Sequence, residues 1–344
     1  HGQTLGSPVS LYVENKDWVN WQQKMSVEPV QDEVQPVTRL RPGHADLAGV
    51  MKYSQSDVRN ILERASARET AARVAVGSVA KRLMEEFGIH VHSHVISIGD
   101  VRAPNDMTVD WTAVEESPVR CANSEAGRKM VEAIKAAKHD ADTLGGVVEV
   151  VATGVPVGLG SHVQWDRKLD GCIAQAMMSI HAVKGVSIGD GWEGASWRGS
   201  QVHDVIEPLE EGEIFWRRSS NHAGGLEGGM TTGQSIVVRF ALKPISTLAK
   251  PLPSVDLITG EKVQAHYERS DVCVVPAAGV IGEAMLAIIL AGAFLEKFGG
   301  DHISETRRNL QGYLATIGPR FGASYIGTSQ EKTGGLMDAD TEEV

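Results

Sequence analysis

The sequence predicts an α+β fold, and three observations carry that reading. From Ser54 to Gly88 apolar residues recur at helical spacing, first Val58, Ile61 and Leu62, then Ala72, Val76, Val79, Ala80, Leu83 and Phe87. Ile89 to Ile98 and Ser235 to Leu242 instead alternate with a period of two, as strands do. Val272 to Leu295 is a long apolar run with Pro276 near its start and Glu283 in its middle. Those two residues and the polar flanks favour a helix buried inside a domain over a membrane span. No GxGxxG stands between a strand and a helix, so a dinucleotide-binding fold is not supported.

In chain order, Val9 to Val13 reads as a short strand, and Ser26 to Gln35, acidic and rich in valine and proline, as an extended connector. Arg41-Pro42-Gly43-His44-Ala45-Asp46 is a tight loop set by proline and glycine. With Arg41 three residues before His44, it can bring a cation and a proton donor to one place; the plainer reading is a surface turn histidine. Ser54 with Asp57, and Ser66 with Glu69, have the spacing of capping boxes that open two successive helices. A helix start inside a helical stretch presents free N–H groups and partial positive charge, and Arg64 and Arg68 flank the second one. This is an expected phosphate site, unless Glu63 and Glu69 simply pair with these arginines. Gly88 has the place of a C-cap glycine.

The next strand sets His90, His92 and His94 on one face. That spacing can hold zinc, or be the solvated face of a strand buried on its other side; no metal is assigned. Ser124 to Asp140 and Asp166 to Ile180 read as helices, the latter ending in His181-Ala182. Val147 to Val151 reads as a buried strand, and Gly189 to Gly233 as an irregular glycine-rich region. Lys243-Pro244-Ile245-Ser246-Thr247 follows the strand that ends at Leu242, a lysine with two hydroxyls suited to a phosphate or ribityl chain. Ser304 to Ile317 reads as a last helix, and the tail from Ser329 to Val344 as acidic and disordered, leaving one expected domain over 1–328. Glu63-Arg64 and Glu268-Arg269 each lead a small-residue helix ending in Phe-Gly, a faint internal echo.

The totals narrow the function. With 42% hydrophobic and 22% charged residues the chain is an ordinary globular protein. A net charge of −11 argues against nucleic acid as a partner, so an anionic ligand has to be met by local arginines. Cys121, Cys172 and Cys273 are odd in number and far apart, which points to a reducing compartment.

Glu63 to Arg73, with Arg41 to Asp46, Lys243 to Thr247 and Arg269-Ser270-Asp271-Val272-Cys273, all in order, resembles the signature segments of the chorismate synthase family. The resemblance runs from His1 to about Gly300. It implies a β-α-β sandwich with internal pseudo-twofold symmetry, helices packed between antiparallel sheets. It also implies an enzyme of the shikimate pathway, a carbon–oxygen lyase. Such an enzyme removes phosphate from 5-enolpyruvylshikimate 3-phosphate by anti-1,4-elimination to give chorismate, with reduced FMN (FMNH2) and NADPH as a source of reduction. A cytoplasmic homotetramer that binds neither nucleic acid nor membrane is expected. By resemblance, His44 protonates reduced flavin and Asp271 assists proton removal. Arg41 meets substrate. Arg64, Ala65, Ser66, His181, Ala182, Gly228, Lys243, Pro244, Ile245, Ser246, Thr247 and Arg269 contact FMN.

His1-Gly2 looks like the family's first histidine motif, but Thr4 to Pro8 and Asp17-Trp18 resemble a segment well inside the family's sequence. The expectation is therefore that several tens of residues precede this point in the family, its first catalytic histidine among them. The chain as given would then not turn over. The alternative to an active enzyme is an FMN-binding but catalytically incomplete fragment.

Overall fold

The computed structural model describes residues 3–29, 34–104, 108–209 and 216–318. The α+β class holds. Five antiparallel strands form the main sheet: β1 (His90–Ile98), β2 (Val101–Arg102), β3 (Gly146–Thr153), β4 (Val183–Ile188) and β5 (Ile236–Leu242), in the order β2-β1-β3-β5-β4. Two short hairpins, Leu226–Glu227 with Met230–Thr231 and Pro253–Val255 with Lys262–Gln264, lie outside it.

The apolar run becomes the helix Val275–Phe298, which packs on β1, β3 and two other helices, Glu69–Glu85 and Leu169–Met178. By length and composition it could cross a membrane. It is instead the centre of the core, with Leu286, Ala287, Leu290 and Phe294 fully enclosed. Small residues make that possible. A Cβ on Gly77 would lie 2.3 Å from the Cβ of Ala284, so the Glu69–Glu85 helix crosses its neighbour at backbone contact distance. Glu283 is buried in this interface and answered by Ser93 Oγ at 2.7 Å, Arg120 Nη2 at 3.1 Å and the Lys81 ammonium. A buried carboxylate without such partners would be strongly destabilising.

The period-two reading of β1 is confirmed: Val91, Ser93 and Val95 are buried and the three histidines share the other face. There His92 stacks on Trp111, with centroids 4.9 Å apart, and His94 Nε2 meets Glu149 at 2.9 Å. His92 and His94 thus have partners of their own, while His90 is exposed, and among the described residues no three metal-ligating side chains converge.

Helices form at Ser124–His139, Leu169–Met178 and Ile303–Leu314, within the expected segments apart from Ile303 at the start of the last. The described residues of the glycine-rich region, 189–209 and 216–233, are irregular, broken by one-turn helices at Gly191–Gly194 and Gly199–Val202 and by the Leu226–Thr231 hairpin. Two expectations fail. Val9 to Val13 is not a strand: none of the described residues pairs with it and its side chains are exposed. Ser54 does not open a helix: it closes Asp46–Tyr53 in the left-handed conformation, at φ 53°. Asp57 takes over the start of the next turn, accepting the backbone N–H groups of Arg59 and Val37 at 3.0 Å each. The expected acidic tail and His1-Gly2 lie outside the described residues, as do residues 30–33 of the expected connector.

Candidate active site

A small second core of Leu40, Val50, Val58, Ile61 and Leu62 underlies two stretches, the Arg41–Asp46 loop and the turn Arg59–Leu62. Because Val58, Ile61 and Leu62 are apolar on one side only, they fasten the chain just before Arg64 to the back of that loop. Gly43, at φ +77°, lets the loop reverse within four residues.

The hub of the loop is Asp46, which is wholly buried. Its Oδ2 accepts from the Arg41 backbone N–H at 3.0 Å and Nε at 2.9 Å, and its Oδ1 from Arg41 Nη2 at 3.1 Å. Oδ1 also lies 2.5 Å from His44 Nδ1. Burial alone would push the Asp46 carboxyl up. The hydrogen bonds from His44 and Arg41 and their charges outweigh it and hold the group well below the usual carboxylate range. The geometry assigns the His44 proton on Nδ1 to Asp46, which leaves Nε2 as the working nitrogen. Arg41 Nη2, 3.1 Å from Nδ1, then donates to the same carboxylate rather than to the ring.

The Lys243–Thr247 segment closes over this loop. Arg41 Nη1 donates to Thr247 Oγ1 at 3.2 Å, and Lys243 Nζ to the carbonyl of Gly43. The Lys243 N–H donates to the carbonyl of Ala182 at 2.9 Å, and Thr143 Oγ1 to that of Ile245 at 2.7 Å. Burial lowers the Lys243 pKa and the charge of Lys184 lowers it further. An anion placed here would oppose this lowering through its charge.

His181 shares this neighbourhood. Burial depresses its pKa, Glu69 opposes the shift, and the charges of Arg73, His44 and Arg64 add to it. The sequence-distant segments at 41–46, 64, 181–182 and 243–247 therefore form one electrostatic unit.

The Ser66 capping box is not formed. The helix begins at Glu69 with Arg68 as N-cap and no side-chain cap, while Ser66 Oγ accepts only from Arg68 N at 3.3 Å. The chain from Glu63 to Arg68 runs in successive tight turns, and the N–H groups of Glu69, Thr70 and Ala71 are taken by the carbonyls of Ser66, Ala67 and Arg68. The free donors expected at a fresh helix start are thus largely consumed. Arg68 follows the pairing alternative, lying 3.5 Å from Glu63 and 3.6 Å from Asp17. Arg64 is exposed and makes no ion pair among the described residues. Burial raises the pKa of Glu63; Arg68 opposes this, and Glu268 adds to it. The two Glu-Arg pairs of the internal echo thus lie side by side, each ahead of one of two helices that cross at Gly77 and Ala284.

Arg269 is exposed, close enough to Asp17 for its charge to lower that carboxyl's pKa, behind hydrogen bonds from Asn20 and Trp21, burial that opposes them and the charge of Arg68. Asp271 is exposed too, one residue before Val272, whose carbonyl accepts from Leu144 N at 2.9 Å. Residues 143–144 connect it to the Lys243–Thr247 segment. Gly228 stands apart. It lies at φ +59° on the Leu226–Thr231 hairpin, which is fastened to Leu169 at the start of the Leu169–Met178 helix. His181 follows the other end of that ten-residue helix, about 15 Å away at 1.5 Å per residue.

Sequence reasoning missed Asp46 as the organiser of the loop. The signal was a carboxylate two residues after His44, read only as part of a motif. It also took Glu69 for a capping residue, whereas the side chain turns towards Arg73 and His181.

A family model described as chorismate synthase matches residues 1–295. Chorismate synthase of Solibacter usitatus is 56% identical over 323 residues, 92% of this chain and 83% of that protein. That of Symbiobacterium thermophilum is 56% identical over 330 residues, 93% of this chain and 84% of the relative. A crystal structure of chorismate synthase superposes with a TM-score of 0.67 at 47% identity, over 78% of this chain and 75% of that one. Similarity of this extent favours an enzyme over a binding-only fragment. With a matched model over most of its length and relatives above half identity, the chain belongs to the chorismate synthase family, lyases of the shikimate pathway.

Proposed function

We propose that this chain eliminates phosphate from 5-enolpyruvylshikimate 3-phosphate to give chorismate at the site between the Arg41–Asp46 loop and the Lys243–Thr247 segment, using reduced FMN. The observation that carries this reading is the double tie between the two, Arg41 to Thr247 and Lys243 to Gly43. It puts a histidine with a fixed tautomer beside a lysine held partly out of water.

The residues present suit a phosphorylated flavin. His181 Nδ1 is enclosed and has no hydrogen-bond partner, Lys243 is depressed by burial, and Arg64 and Arg269 are exposed cations on the rim. Lys243, Ser246, Thr247, Arg64, Ser66 and His181 with Ala182 would hold it, with Arg269 at the edge. When bound, reduced FMN would supply transient electron density to the substrate as phosphate leaves. Arg41 orients the anionic substrate while Asp46 keeps its guanidinium in place. His44 holds a proton at Nε2, directed by the Nδ1–H bond to Asp46. Asp271 receives the proton that leaves the substrate ring, as the other half of the elimination. Expulsion of water between the two loops would strengthen each of these contacts.

NADPH as the source of reduction, a homotetramer and a cytoplasmic location belong to the same reading. Exposed Val76, Val79, Trp165 and Trp192 supply apolar surface for assembly, and three unpaired cysteines suit a reducing compartment. The test is an anaerobic assay with reduced FMN and the enolpyruvyl phosphate substrate. Equal release of chorismate and phosphate is expected. Flavin binding without any phosphate release would return the chain to the binding-only reading.

A further inference from the structure

Two enclosed polar atoms face each other beside the proposed flavin site with nothing between them in the protein. Glu69 Oε2 and His181 Nδ1 are each buried without a hydrogen-bond partner among the described residues, 3.8 Å apart. Orphaned polar atoms of this kind are costly, and a matched donor and acceptor within one ångström of bonding distance is a contact ready to close.

The rest of Glu69 is held firmly. Its Oε1 accepts from Arg73 Nε at 2.7 Å. Arg73 Nη1 continues across to Ser179 Oγ at 2.7 Å and the Ser179 carbonyl at 3.3 Å, at the end of the Leu169–Met178 helix. Two residues on is His181, and then Ala182 at φ 68°, whose carbonyl takes the Lys243 N–H. Glu69 therefore stands at one end of a chain of bonds joining three separate stretches, 64–69, 179–182 and 243.

We propose that Glu69 is a positioning residue for the flavin site: its Oε2 accepts the Nδ1–H of His181 and so turns the opposite nitrogen, Nε2, towards the bound cofactor. His181 is 34% exposed although its Nδ1 is enclosed, so the open edge of the ring is the one that carries Nε2. A carboxylate behind an imidazole fixes both its tautomer and its orientation. The inference rests on the flavin reading of this site. It gives Glu69 a role apart from its pairing with Arg73 within the helix.

The experiment measures oxidised FMN affinity by flavin fluorescence in four proteins: wild type, Glu69→Gln, His181→Ala and the double variant. Glutamine keeps the size of the side chain and a partner for Arg73, and far-UV dichroism checks folding. Glu69→Gln is expected to weaken FMN about tenfold, the scale of one charge-assisted hydrogen bond. In the His181→Ala background the same change is expected to have no effect, since the residue through which it acts is gone. A purely structural glutamate would cost the same in both backgrounds, and that result overturns the proposal. Nitrogen-15 spectra of histidine-labelled, flavin-free protein at mildly alkaline pH supply a second readout. His181 is expected as the Nδ1–H tautomer in the wild type and as a tautomer mixture in Glu69→Gln; identical spectra also overturn the proposal. Wild-type protein that binds no FMN sinks the flavin reading itself, whereas wild-type binding with an inert Glu69→Gln sinks only the role of Glu69.

Discussion

The two halves of the site differ in how far their polar groups are already satisfied. In the Arg41–Asp46 loop every charged group near Asp46 has its partner: a buried carboxylate, a buried guanidinium and a histidine locked by 2.5–3.1 Å contacts. Across from it, the stretch from Glu63 to Glu69 and the His181 turn hold an exposed Arg64 with no ion pair among the described residues, a Glu63 whose pKa burial raises, and two orphaned atoms. The chain leading into Glu63 is fastened to the same small core as the loop, whereas the His181 turn is fastened to the main core by Ile180 and Val183. On the proposed function, the half that would handle the proton is built in advance and the half that would hold the anion is left for ligands to complete. A preset acid group avoids reorganisation during the reaction, while unpaired donors keep their binding energy for the ligand.

Breaking the satisfied half has the largest expected effect. Asp46→Asn leaves Arg41 buried beside a neutral side chain and removes the anchor of His44. Urea unfolding is expected to show a loss of about 3–5 kcal/mol, the usual result of removing one partner from a buried pair. A loss below about 1 kcal/mol, the scale of a surface pair, would mean that the loop is not a closed unit.

Asp271→Ala separates chemistry from binding. Single-turnover elimination is expected to slow by about 10²–10⁴, the range for losing a positioned acid or base, with FMN affinity nearly unchanged. His44→Ala should behave likewise. Unchanged single-turnover rates in the aspartate variant would take Asp271 out of the mechanism.

Arg64→Ala probes the open half. It is expected to weaken FMN by about 1.5–3 kcal/mol, one charged hydrogen bond, while the urea midpoint stays put because the side chain is exposed and unpaired. A stability loss without an affinity loss would reverse that assignment.

The smallest effect is on acid stability. The Asp46 pKa is depressed in the folded state, so its contribution is complete above the ordinary carboxylate value of 3.8 and is lost as pH falls from there through the lower folded-state value. Unfolding free energy measured from neutral to acid pH should therefore fall less steeply below that point in Asp46→Asn than in the wild type. Parallel curves would contradict the linkage.

Much of the fold was legible because its signals are local and periodic. Val91, Ser93 and Val95 alternate with three histidines, and the run around Leu286 and Leu290 is apolar on every side, as a central helix must be. Local signals failed where tertiary packing outweighed them. Ser54 and Ser66 have the right neighbours for capping boxes. Yet Ser54 falls at the end of a helix that Val50 fastens to the small core, and Ser66 lies within tight turns that consume the donors it would have capped. The site residues came from the family resemblance, since a lone Lys-Pro or Arg-x-x-His is commonplace. The roles of Asp46 and Glu69 depend on contacts across the chain, Asp46 by way of the tie from Arg41 to Thr247 and Glu69 by its approach to His181. No spacing rule contains those contacts.

The contrast between the two halves is tested most directly by amide hydrogen exchange with and without FMN, read by mass spectrometry over peptides spanning 41–50, 59–70 and 178–184. The account predicts that 41–50 is protected to the same degree in both states, while 59–70 and 178–184 gain protection only when FMN is bound. Equal protection gains in all three segments, or no change in 59–70 and 178–184 when FMN is added, would contradict it.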